Sequence, residues 1–76
     1  MQTAKIVRVI HQDTVVQLLC ADDWGLLSVY FEAKPFSLLC KAIQKAGLKL
    51  EGLQIRYDRD RVYVLALDKT WLSHAV

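Results

Sequence analysis

This 76-residue chain has no unbroken run of about 20 apolar residues, so no transmembrane helix and no membrane partner are expected. Its first residues, MQTAKIVRVIHQD, lack the charged, then apolar, then small-residue layout of a signal peptide. Cysteine is scarce. Cys20 and Cys40 stand far apart with no CxxC, whereas a secreted chain of this size would carry several bridges. A reduced, cytoplasmic protein is the expectation, with each cysteine a small buried apolar residue and not a nucleophile.

Glycine is sparse as well. Gly25, Gly47 and Gly52 are isolated, which leaves no glycine-rich phosphate loop. The two histidines, His11 and His74, lie at opposite ends of the chain, and with two scattered cysteines they lack metal-ligand spacing. Ser28 and Ser37 have no histidine or lysine placed by motif to activate a hydroxyl. Asp22 and Asp23 read as turn formers beside Trp24, not as a paired acid and base. A core this small leaves little room for a substrate pocket. No catalytic residue, no cofactor and no metal site is therefore expected, and no enzyme.

Charge of one sign is also short: ten basic against eight acidic residues give a net +2. Dedicated nucleic-acid binders show a stronger or more segregated excess. The balance permits such a partner without recommending one.

Apolar residues, by contrast, are plentiful, at 54% of the chain. Counting the three Gly in place of the three Tyr leaves that share unchanged, against about 45–50% for ordinary domains. One domain of this length buries only about 60–65% of its unfolded surface. A partner surface hides the excess most simply, and symmetric homodimers are the commonest oligomers. A homodimer is expected.

Along the chain, AKIVRVI (4–10) and TVVQLLC (14–20) are β-branched and separated by His11-Gln12-Asp13, which predicts a β-hairpin. A two-residue turn at Gln12-Asp13 puts Val9 opposite Val16 and Val7 opposite Leu18 on one apolar face. Ile6, Arg8 and Ile10 fall on the other, with Arg8 against Gln17. The turn ADDWG leads into LLSVYFE (26–32), with Leu27, Val29 and Phe31 on one side and Ser28, Tyr30 and Glu32 on the other. Lys34-Pro35 opens a helix striped by Phe36, Leu39, Cys40 and Ile43 and stopped by Gly47, with Leu48 behind it. Strands follow at 53–57 and 62–67 around Asp58-Arg59-Asp60-Arg61. Asp68 is expected to cap a short helical turn over KTWLSHA (69–75). The prediction is one α+β domain over 1–76: an antiparallel sheet in βββαββ order, one main helix packed on one face, and a short C-terminal helical turn.

The stretch YDRDRVYV interleaves arginines with tyrosines, as a nucleic-acid surface does. Its D-R-D-R charges cancel, however. With Arg59-Asp60 as the turn, Asp58 faces Arg61, Arg56 faces Tyr63 as a cation–π pair, and Ala66 joins the core side. A self-neutralised hairpin tip accounts for it.

The sheet face away from the helix is less ordinary. It collects Ile6, Ile10, Val15, Leu19, Leu26 and Leu65 around Arg8, Gln17, Tyr30, Arg56 and Tyr63, where an open antiparallel sheet would be polar. Either the sheet curls into a small barrel that buries part of both faces, or two protomers pack sheet on sheet. Trp24 is expected to fold back over the core; the alternative is an anchor for a partner. The functional expectation is a non-enzymatic protein-interaction module that binds an unknown protein through this face, using Arg8, Gln17, Trp24, Tyr30, Arg56, Arg59, Arg61 and Tyr63. The alternative is nucleic-acid binding, with the arginines on phosphates and Tyr30 and Tyr63 as stacking platforms.

Overall fold

Alternating apolar residues build most of this structure, and the chain pairs them in an order that bends the sheet round on itself. The computed structural model describes residues 2–75. Three strands come first, β1 (Gln2–His11), β2 (Val15–Asp22) and β3 (Gly25–Glu32), followed by the helix α1 (Ala33–Lys45). Then come β4 (Gln54–Tyr57), β5 (Arg61–Val64), a 3₁₀ turn (Leu65–Leu67), β6 (Lys69–Leu72) and the two-residue β7 (His74–Ala75). The fold is α+β, and every strand pairing is antiparallel.

The spatial order is β6-β5-β4-β1-β2-β3-β7. β6 and β7 stand at opposite ends of that order, yet only Ser73 separates them in sequence. The terminal segment therefore pairs β5 with its first half and β3 with its second, and this closes the sheet into a barrel. The N-terminal strand is bent in the same way: Gln2–Lys5 pairs with β4 and Lys5–His11 with β2.

Inside sit Ala4, Ile6, Leu18, Cys20, Val29, Phe31, Leu53, Ile55, Val62, Val64 and Trp71, all buried. Phe36, Leu39 and Ile43 of α1 pack against them, with the Phe31 and Phe36 rings edge to face at 6.1 Å. The helix ends as its sequence prescribes. Gly47 takes φ +72°, and the Leu48 N–H donates to Ile43 O at 3.0 Å, closing a Schellman turn.

Four expectations are corrected. The first hairpin slips by two residues, pairing Val9 with Leu18 and Ile10 with Gln17, and a bulge falls between Ile6 and Arg8. That extra residue flips the alternation, so Ile6 turns into the core and Val7 out of it. Residues 69–72 form a strand and not a helical turn. The turn of helix lies earlier, at 65–67, and Asp68 ends it in the left-handed region at φ 50°. Within that turn Ala66 is exposed, so it does not belong to the core side.

The last hairpin keeps its expected register, Tyr57 with Val62 and Arg56 with Tyr63. Its polar contacts differ. Asp58 does face Arg61, its N–H donating to Arg61 O at 2.9 Å, but the Arg61 side chain lies 3.9 Å from Asp60, while the Asp58 carboxylate accepts from the Arg59 N–H at 2.6 Å. Tyr63 donates its hydroxyl to Asp68, and the cation–π contact among the described residues is Lys69 over Trp71 at 5.8 Å.

Candidate functional site

The outward side chains of β1, β2 and β3 line up in rows fixed by the strand register. Ile10, Gln17, Tyr30 and His74 form one row; Arg8, Leu19 and Ser28 form the next. Lys5, Ala21 and Leu26 make the third, toward the β2–β3 turn. Gln17 is fixed within this surface: its amide donates to Ser28 Oγ at 2.7 Å and accepts from Gln12 at 3.0 Å. Leu19, Leu26, Ser28 and Tyr30, with Leu27 from the inner side of β3, line a shallow, open depression of mixed polarity.

The β2–β3 turn is two residues long, Asp23-Trp24, between the paired Asp22 and Gly25, whose φ is +135°. Asp22 braces it from both sides. One carboxylate oxygen accepts the Trp24 N–H at 2.7 Å, and the other accepts the Tyr57 hydroxyl from β4 at 2.9 Å. Trp24 does not fold back over the core: its side chain is 89% exposed. Leu26, two residues on, is 68% exposed.

Those hydrogen bonds to the Trp24 amide and then the Tyr57 hydroxyl hold the Asp22 carboxyl below its ordinary pKa. A depressed carboxylate stabilises the folded state above its unfolded pKa, about 3.9, and loses that contribution as pH falls through the lower folded value. In a Trp71→Phe background, Trp24 fluorescence anisotropy is therefore expected to hold steady down to about pH 4 and to fall only below it. Asp22→Asn should abolish that transition. A midpoint above the ordinary aspartate value would contradict the bracing role.

The remaining predicted residues form a second group. Arg56 lies between Thr3 and Tyr63 on neighbouring strands, with Arg59 and Arg61 at the hairpin tip beyond. The eight predicted residues thus gather in two sets: Arg8, Gln17, Trp24 and Tyr30 on β1–β3, and Arg56, Arg59, Arg61 and Tyr63 on β4–β5. Tyr63 is tied to Asp68, and that hydrogen bond raises its phenol pKa. The single ion pair among the described residues is Arg61 with Asp60.

Burial raises the Cys20 thiol to about 11 and pushes Cys40 upward as well, so both are protonated near neutrality. No group of three His, Cys, Asp or Glu gathers among the described residues. No helix among them is long and apolar enough to cross a membrane.

Sequence reasoning missed a groove between the first half of α1 and β6, lined by Lys34, Pro35 and Leu38 on one side and Lys69, Trp71 and Leu72 on the other. Leu38 offered a signal, because it is apolar yet lies off the 36/39/40/43 stripe. No family model, no curated protein and no solved structure matches this chain.

Proposed function

We propose that this chain is a small non-enzymatic protein-interaction module, homodimeric, that binds another protein through the outer face of β2 and β3 with Trp24 at its rim. The observation that carries this reading is the pair of exposed side chains Trp24, on a turn hydrogen-bonded by Asp22, and Leu26, two residues on in β3. Tryptophan on a pre-ordered turn is the usual anchor of an interface, because little conformational entropy remains to be lost on binding. Leu19 and Tyr30 extend the apolar surface, and Arg8 at its edge supplies the residue type enriched in such patches. The apolar content of 54% and the exposure of Leu38 and Leu72 support self-association.

One observation favours nucleic acid as a second reading. Lys5, Arg8, Arg56 and Arg59 have no carboxylate within ion-pair distance among the described residues, and Tyr63 stands beside Arg56 across β4 and β5.

A photo-reactive residue placed at Leu26 separates the two. The protein reading expects crosslinks to a polypeptide that survive nuclease treatment and change little between roughly 0.1 and 0.3 M salt. Crosslinks lost on nuclease treatment, with a steep fall in retention as salt rises, would replace it with the second reading.

A further inference from the structure

The groove beside β6 has as one of its walls a strand edge that pairs with no strand among the described residues. The phase of the ladder shows which groups point there. The Asp58 N–H donates to Arg61 O at 2.9 Å, so Arg61 and Tyr63 direct their backbone groups toward β4, and Val62 and Val64 direct theirs toward β6. The Ser73 N–H donates to Asp60 O at 3.0 Å, in step with that alternation. Trp71 and Lys69 thus bond to β5, while the N–H and C=O groups of Thr70 and Leu72 face the open edge. Leu72 and Leu38, 67% and 54% exposed, flank it.

Charge is distributed unevenly along the groove. Lys34 and Lys69 stand at one end. Past Pro35 and Leu72 it continues into a second concavity lined by Glu32, Asp60 and His74. An acidic peptide suits the first end and is repelled at the second. A second copy of the chain, turned by a two-fold axis, sets each end against its opposite.

We propose that β6 pairs antiparallel with β6 of a second copy about a two-fold axis at Trp71, joining two barrels edge to edge. The pairing of Thr70 with Leu72 of the second copy, and its symmetry mate, forms four backbone hydrogen bonds and covers both exposed leucines. It also brings Lys69 alongside Ser73 of the second copy, whose neighbour on β5 is Asp60. The contact is isologous, as a closed dimer requires. This inference rests on the homodimer part of the functional reading and assigns that dimer a surface separate from the Trp24 face.

Sedimentation equilibrium of the full chain tests it. Thr70→Pro removes one edge donor per copy and leaves the β5–β6 ladder intact, because the Thr70 N–H points away from β5. The wild type is expected to dimerise, and Thr70→Pro to weaken the dimer roughly 10- to 100-fold at unchanged secondary structure. Lys69→Glu is also expected to weaken it, and Lys69→Glu with Asp60→Lys to restore it; this pair decides the matter should the proline variant not fold. A wild type that is monomeric at every concentration overturns the homodimer reading and this inference together. A dimer untouched by Thr70→Pro and by Lys69→Glu, or one dissociated by Leu26→Ser, overturns only the edge pairing.

Discussion

Deleting residues 69–76 is expected to unfold the chain, although among its described residues the segment removed carries a single large buried side chain, Trp71. β6 covers the free edge of β5, and β7 covers that of β3. Without them Val62 and Val64, now buried, would lie on an open edge, and Val29 and Phe31 would lose one wall. The total stability of a domain of this length is roughly 4–11 kcal/mol, and truncating a buried tryptophan alone costs about 3–5 kcal/mol. Trp71→Ala should therefore lower the urea midpoint sharply, and the truncated chain should show no cooperative transition by circular dichroism. A truncated chain that melts cooperatively near the wild-type temperature would show that the barrel does not depend on its terminal strand.

The other tryptophan is expected to behave in the opposite way. Trp24→Ala removes a side chain that is 89% exposed, so the stability change should stay within about 0.5 kcal/mol. Its effect should appear in binding. An aromatic anchor that becomes buried on binding costs about 2 kcal/mol or more when truncated, which corresponds to roughly a 30-fold loss of affinity for the partner crosslinked at position 26. Leu26→Ser should weaken the same complex. The two losses should combine to less than their sum, because both residues contact one surface. Unchanged affinity in Trp24→Ala, with the fold intact, would move the binding site away from this hairpin.

These two tryptophans also mark how far the sequence can be read. Local signals placed α1 and its stop accurately, because Pro35, the apolar stripe and Gly47 act within a turn or two of one another. The register of the last hairpin was equally legible, since a short turn of charged residues leaves few alternatives. The first hairpin was less so. Its Val and Ile run on both faces, so nothing in the pattern opposes a slip of two residues or locates the bulge at Val7. Residues 69–73 alternate outward and inward for too few positions to declare a strand, and Asp68 in front of them looks like a helix cap. What makes them a strand is β5, an element they meet only through the closed topology. The same long-range geometry leaves Trp24 uncovered and settles the mixed outer face. The bulge at Val7 turns Ile6 into the core, while Val15, Leu19 and Tyr30 are half-buried and Leu26 is exposed. Of the predicted site, Arg8, Gln17, Trp24 and Tyr30 share a surface with Leu26. The arginines of the 58–61 turn stand apart from it, in a tip where Arg61 pairs with Asp60 and only the backbone N–H of Arg59 reaches Asp58.

Barrel closure by the terminal strand underlies the whole account, because it alone makes the outer face a surface and not a second core. The direct test is the set of nuclear Overhauser contacts across the β3–β7 seam in a sample mixing labelled and unlabelled chains. Closure within one chain predicts backbone contacts between Tyr30 and His74, and between Val29 and Ala75, that are intramolecular and persist on dilution. Absence of these contacts, or their appearance only between chains, would contradict it.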